Sequence, residues 1–161
     1  MQSKITIKCL NEELQMFYIP LTIEPQNKIT LLAADDIDIK TGEKMLIDLK
    51  VELDSDIPIL IYPNNSLNDT PLISVNLSNV YDNDNSLSLF NNPNRETYKE
   101  FVNAGIDSFK TDILKQLTKK RSNDIIINKI LDKVKDQRIT KGTPLFDIYL
   151  SNFQPFTVEL K

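Results

Sequence analysis

Carboxylates supply most of the side chains in this sequence that could do chemistry. Asp35, Asp36 and Asp38 lie within one short segment, and Asp82 and Asp84 lie within another. Clustered carboxylate oxygens are the ligands that hard cations prefer. The spacing lacks the glycine that calcium-binding loops of the D-x-[DN]-x-[DN]-G kind carry at their turn. We therefore interpret Asp35, Asp36 and Asp38 as a solvated acidic turn and expect no metal there.

The sequence excludes several kinds of catalytic site. It contains no histidine and one cysteine, Cys9, which rules out Ser-His-Asp or Cys-His catalysis within one chain and an ordinary zinc site. Its glycines, Gly42, Gly105 and Gly142, stand far apart, whereas phosphate-cradling loops need several close together. Because Cys9 has no partner for an internal disulfide, we expect a reducing compartment.

The chain of 161 residues is long enough for one domain with its own core. Charged residues interrupt its first twenty positions, so we predict no signal peptide, and no apolar run is long enough to span a bilayer. Asn, Ile and Lys, which AT-rich codons encode, are abundant, while Ala, Gly and Arg are scarce. Large DNA viruses, some protists and some Gram-positive hosts have AT-rich genomes that fit this usage. The expected location is cytoplasmic or otherwise intracellular, or within a virion.

Charge is divided unevenly along the chain. Residues 1–94 carry six basic and fourteen acidic side chains, whereas residues 95–141 carry twelve basic and seven acidic ones. Such asymmetry is typical of a face that binds nucleic acid or an acidic partner, or of lysine-rich solvated helices beside an acidic body. The chain has only three arginines and no arginine cluster with interleaved aromatics, so we favour solvated helices over nucleic-acid binding.

Alternating apolar and polar residues predict short strands in much of the chain. The alternation is present at residues 4–8, 45–53, 57–61, 73–77, 145–150 and 156–160. Turn clusters separate these runs at roughly the 8–12-residue spacing that is typical of a sandwich or barrel. Pro58, inside one run, indicates an edge strand or a bulge.

Residues 95–137 have a different period. Apolar residues recur there every three or four positions, from Tyr98 to Leu117 and again from Ile126 to Val134. This pattern predicts two amphipathic helices joined by a short loop. The simplest summary is a helical hairpin inserted into a β domain.

Four segments, at residues 29–43, 62–72, 79–82 and 138–148, follow one another in a recognisable order, and the second contains Pro63-Asn64-Asn65-Ser66. They resemble the motifs of the trimeric deoxyuridine triphosphatase (dUTPase) family and its relatives, the dCTP deaminases. The first resembles the first motif and the hairpin after it, the second the P-R-S-S motif, the third the start of the third motif, and the last the fourth motif. The closing residues, 153–160, also have the family's pattern.

The resemblance implies a mainly β, dUTPase-like barrel of the β-clip or jelly-roll type. The single domain would span residues 1–161, with the helical hairpin inserted at residues 95–137. It also implies a homotrimer in which the final strand is exchanged between neighbours, with clefts between the subunits.

Few of the family's functional residues have counterparts. Asp82 matches the aspartate that orients the attacking water, and Ser66 matches a serine of the second motif. Asp82 also has a simpler interpretation, because Asp and Asn commonly initiate turns. The third motif's tyrosine and the glycine-rich C-terminal arm have no match.

Four other positions depart from the motifs. Lys28 and Thr30 stand where the first motif has glycine and aspartate, and Asn64 and Asn65 stand where the second has its phosphate-binding arginine and first serine. Losing the arginine removes charge-assisted bonds to a triphosphate. No catalytic or cofactor-binding residue is therefore predicted beyond the residual candidates Asp82 and Ser66.

These observations favour a non-catalytic protein that acts in a homotrimer or larger protein assembly, as a structural or regulatory component. The alternative is a divergent Mg²⁺-dependent pyrophosphatase that converts dUTP to dUMP and diphosphate. It would use Asp82 to orient water, and a cation from Lys119, Lys120 or Arg121 would replace the missing arginine. A third hypothesis is that the basic hairpin binds nucleic acid or an acidic protein.

Overall fold

The computed structural model describes residues 2–76, 78–83, 87–92 and 136–161. In these ranges the chain is mainly β. The strands are β1 (Ser3–Cys9), β2 (Ile29–Leu32), β3 (Ile37–Ile39), β4 (Lys44–Ile47), β5 (Val51–Asp54), β6 (Ile59–Pro63), β7 (Leu72–Ser74), β8 (Leu87–Asn91), β9 (Gln137–Ile139), β10 (Pro144–Leu150) and β11 (Phe156–Leu160). The helices are α1 (Glu12–Tyr18) and two 3₁₀ helices, Ile19–Thr22 and Asn65–Leu67.

The described strands form four small sheets and do not close into a barrel. Their orders are β11-β1-β5, β2-β10-β6, β3-β9 and β4-β8-β7. The predicted mainly β class is confirmed, but the closed barrel is not. Most strands have only three to five residues, and the chain passes to a new sheet after almost every one.

One change of sheet lies within a run that was predicted as a single strand. The run at residues 45–53, predicted as one strand, forms β4, which pairs with β8, and β5, which pairs with β1. Between them Lys50 adopts a φ of 54°, and its amide donates to Asp48 Oδ1 at 2.9 Å. Leu49 and Leu53 are buried on either side of this turn. The alternation of apolar and polar residues therefore continues past the point where β4 ends.

The core lies between the sheets and is centred on β10. This strand pairs with β2 on one side and β6 on the other, and Phe146 and Ile148 are fully buried. Burying one such side chain contributes about 1.5–3 kcal/mol of transfer free energy. Pro58 directly precedes β6, the edge strand of this sheet, which confirms its predicted edge position.

Helix α1 was not predicted. Asn11 caps it, accepting a hydrogen bond from the Glu13 amide at 3.0 Å, and acidic residues in the first turn suit the helix dipole. Leu14 and Tyr18 are buried one turn apart. The Tyr18 hydroxyl accepts from the Leu32 amide at 3.2 Å, which ties the helix to β2.

The predicted helical insertion lies outside the described residues except for its last two. Of these, Gln137 belongs to β9. The described residues on both sides of this segment contact one turn. The Gly42 amide donates to the Asn91 carbonyl at 2.9 Å, and the Thr41 amide donates to Asp136 Oδ1 at 2.9 Å. The segment therefore leaves and rejoins the β domain beside the turn at residues 40–43.

The last strand pairs with its own chain. β11 runs parallel to β1, in register from Ser3 with Phe156 to Ile7 with Leu160, and Phe156 is fully buried. β11 is thus the edge strand of a three-stranded sheet in which it pairs with β1.

Candidate functional site

Three of the segments that resemble motifs meet on the sheet β2-β10-β6. Thr30 lies on β2, Asn64 follows β6, and Asp147 lies on β10 between them. In the ladders Asp147 is opposite Thr30 on one side and Tyr62 on the other. The topology thus brings together three segments of the chain that are far apart in sequence.

Asp147 is the centre of a polar cluster on this face. Its Oδ1 accepts hydrogen bonds from Thr30 Oγ1 and from Asn64 Nδ2, each at 2.9 Å. Its Oδ2 lies 3.8 Å from Lys28 Nζ, and the exposed fractions of the two side chains are 9% for Asp147 and 49% for Lys28. A carboxylate this buried needs such partners, because desolvating it unpaired would cost several kcal/mol.

Three of the four residues that differ from the motif pattern, as described above, belong to this cluster. Lys28, Thr30 and Asn64 all contact Asp147. A phosphate group approaching Asn64 would meet a carboxylate paired with Lys28, and so no net positive charge where a cation would be needed. The sequence reasoning did not single out Asp147, although one signal was available: it is the only charged residue in the apolar run at residues 144–150.

Ser66 has a structural role in the turn after β6. Its hydroxyl donates to the Pro144 carbonyl at 2.7 Å, and its amide donates to Asn64 Oδ1 at 2.9 Å. These bonds hold the 3₁₀ helix against the start of β10. The hydroxyl proton is thus committed to a backbone carbonyl.

Asp82 lies at the opposite end of β6 from Ser66. The Tyr81 amide donates to the Ile59 carbonyl at 2.7 Å, which places the exposed Asp82 beside the start of that strand. Five residues at about 3.3 Å each make β6 roughly 16 Å long. A single chain therefore does not bring Asp82 and Ser66 together.

The residue before Asp82 is the most perturbed titratable group in the described part of the chain. Burial raises the pKa of Tyr81 to about 12. Its hydroxyl donates to Asn83 Oδ1 at 3.0 Å. Proton transfer near neutral pH is not expected of a phenol held so firmly in its neutral form.

The acidic turn is an ion-pair network. Arg138 donates to both oxygens of Asp38 at 3.2 Å and to Asp36 Oδ2 at 3.1 Å, and Lys50 Nζ lies 2.9 Å from Asp35. The Lys141 amide also donates to Asp36 Oδ1 at 2.8 Å. This amide, and then Arg138, lower the pKa of the Asp36 carboxyl below its usual value.

The expected solvated acidic turn is thus an exposed turn whose charges are paired with cations. Across the described ranges, no group of three or more His, Cys, Asp or Glu side chains could hold a metal ion. Asp84 and the candidate cations Lys119, Lys120 and Arg121 lie outside the described residues.

Two further findings bear on classification. No helix within the described residues is both long enough and apolar enough to cross a membrane. No protein-family model matches the chain, and no curated protein is significantly similar to it.

Proposed function

We propose that this chain is a non-catalytic protein with a dUTPase-like fold that acts by assembly or partner binding. Support for this fold comes from the sheet β2-β10-β6, which joins three motif-like segments that are far apart in sequence. In this proposal the chain forms a homotrimer or larger protein assembly, as an intracellular or virion component.

One observation supports the proposed absence of catalysis. Asn64 stands where the resemblance implies a phosphate-binding arginine, and its side chain donates to the buried carboxylate of Asp147 at 2.9 Å. Phosphoryl transfer depends on positioning and on neutralising phosphate charge. Asp147 engages the Asn64 side chain and is itself balanced by Lys28 at 3.8 Å, so this position supplies no net cation for a triphosphate.

A nucleotide assay on the full chain tests this proposal. With dUTP and Mg²⁺ we expect no dUMP above the background, and calorimetry should detect no dUTP binding. Asp82→Asn is the matched variant, because it removes the candidate water-orienting charge and keeps the side chain's shape. Hydrolysis that Asp82→Asn abolishes would overturn the proposal in favour of the Mg²⁺-dependent pyrophosphatase.

The assembly part is tested separately by the mass of the particle in solution. Light scattering coupled to size exclusion should give a trimer or a larger species. A monomer at all accessible concentrations would contradict self-assembly, whatever the nucleotide assay gives.

A further inference from the structure

Exposed apolar side chains are concentrated in one part of the described structure. Of its seven exposed large hydrophobic residues, four lie between residues 10 and 23: Leu10 (57% exposed), Met16 (75%), Ile19 (49%) and Ile23 (81%). Large exposed apolar surfaces typically mark interaction sites, and these four side chains lie within one stretch of fourteen residues.

The helical segment that carries them is apolar on two faces. On its inner face Leu14 and Tyr18 are buried. On its outer face Met16, Ile19 and Ile23 recur every three or four residues, the spacing of one helical stripe. We call these three residues the outer stripe. A helix that packs only on its own domain would present polar residues there.

The surroundings of the outer stripe are acidic. Residues 10–27 contain Glu12, Glu13 and Glu24 and no Lys or Arg. A groove at the start of α1 is lined by Leu10, Asn11, Glu12, Glu13, Asp48 and Lys50.

The lysine that lines this groove and the lysine that pairs with Glu13 both have acidic partners. Lys50 lies 2.9 Å from Asp35, and Lys141 lies 3.1 Å from Glu13. The groove therefore presents more negative than positive charge to a partner. Two copies joined through this surface would bring like charges together, which argues against self-pairing.

We propose that the outer stripe and the acidic groove bind a partner protein through a basic amphipathic helix. Its apolar side chains would cover Met16, Ile19 and Ile23, and a lysine or arginine would enter the groove between Glu12 and Asp48. Docking of an amphipathic helix on an apolar surface with complementary charge is a common mode of recognition. The inference rests on the proposed function and specifies the chemistry of the partner.

The test uses a labelled synthetic peptide of about 18 residues with leucine and lysine at helical spacing. We expect the full chain to bind it in fluorescence anisotropy, with affinity falling as salt is added. Met16→Ser and Ile23→Ser should each weaken binding about tenfold. These side chains are exposed, so the variants should fold.

Two controls make the result specific. Leu46→Ser removes an equally exposed apolar side chain on β4 (65% exposed) and should leave binding unchanged. A peptide with glutamate in place of lysine should not bind. Equal binding of the two peptides, or equal loss in Leu46→Ser, would overturn the proposal.

A second measurement excludes other occupants of the surface. In a full chain that carries Cys9→Ser, an Ile23→Cys thiol should react quickly with a maleimide and should be protected by the lysine peptide. Protection without peptide would mean that another copy or another part of the chain covers the stripe, which would overturn the proposal. If the chain neither hydrolyses dUTP nor binds the peptide, the inference about the partner is wrong, and the proposed absence of catalysis still stands.

Discussion

The side chain of Asn83 pairs with the backbone of Leu53 as a neighbouring strand would. Its Oδ1 accepts from the Leu53 amide at 3.0 Å, and its Nδ2 donates to the Leu53 carbonyl at 3.1 Å. Leu53 lies on β5, at the edge of the sheet β11-β1-β5. One carboxamide thus satisfies two polar groups on an edge that would otherwise be open to another strand.

Replacing this carboxamide should destabilise the fold. Asn83→Ala leaves both Leu53 groups without their partner and should lower the free energy of unfolding by about 1–3 kcal/mol, measured by urea unfolding. Asn83→Asp keeps the acceptor but loses the donor, so its effect should be intermediate. Asn27→Ala, in an exposed loop, should change stability by less than about 0.5 kcal/mol. Equal stability of Asn83→Ala and the unchanged chain would contradict this role.

Asn64 and Asp147 should be energetically coupled. Their hydrogen bond involves a buried carboxylate, and such bonds contribute about 1.5–3 kcal/mol. Asn64→Ala should therefore cost more in the unchanged chain than in a chain that already carries Asp147→Asn, and a double-mutant cycle measures the difference. Asn65→Ala is the matched control at the next position. Additive effects of Asn64→Ala and Asp147→Asn would refute the coupling.

Tyr81 should make the fold sensitive to alkali. Its pKa is about 12 in the folded chain against an ordinary value of 10.0, so the unfolded chain releases this proton first as pH rises. The stability that depends on neutral Tyr81 is therefore complete below pH 10 and is lost between pH 10 and 12.

The variant Tyr81→Phe tests this dependence. Urea midpoints measured across that interval should fall less steeply in Tyr81→Phe than in the unchanged chain. Burial also raises the pKa of Tyr18, so the urea midpoint of Tyr81→Phe should still fall to some extent as the pH rises. Identical slopes would show that Tyr81 titrates normally.

Arg138 should help to keep the Asp36 carboxyl ionised. Arg138→Gln removes the guanidinium but not the Lys141 amide, which is the larger cause of the lowered pKa. The pKa of Asp36 should therefore rise toward its usual value without reaching it, which an NMR titration of the side-chain carboxyl would show. The stability that this ion pair supplies is present above the ordinary aspartate pKa and is lost as pH falls. An unchanged pKa in Arg138→Gln would contradict the ion pair.

The strands could be predicted from the sequence better than their partners could. Period-two alternation locates β1, β6, β10 and β11 because half-buried strands impose it locally. Pairing of β1 with β11 joins opposite ends of the chain, and no local pattern encodes it. Helix α1 was missed because apolar residues on two faces conceal the single stripe that indicates a helix.

The candidate site shows the same limit. The departures from the motifs at Lys28, Thr30 and Asn64 could be found by inspection, but their common partner could not. Thr30 and Asn64 lie 117 and 83 positions from Asp147, so only the folded sheet brings them together. The resemblance to the dUTPase family stays a prediction.

The parallel pairing of β1 with β11 has a mechanical consequence. A pulling force applied before Ser3 and after Leu160 would draw two adjacent parallel strands in opposite directions along their common axis. The hydrogen bonds of the ladder, which extends from Ser3 with Phe156 to Ile7 with Leu160, would then bear the load together in shear. Separating these two strands by force would thus require the hydrogen bonds of the ladder to break together rather than one after another.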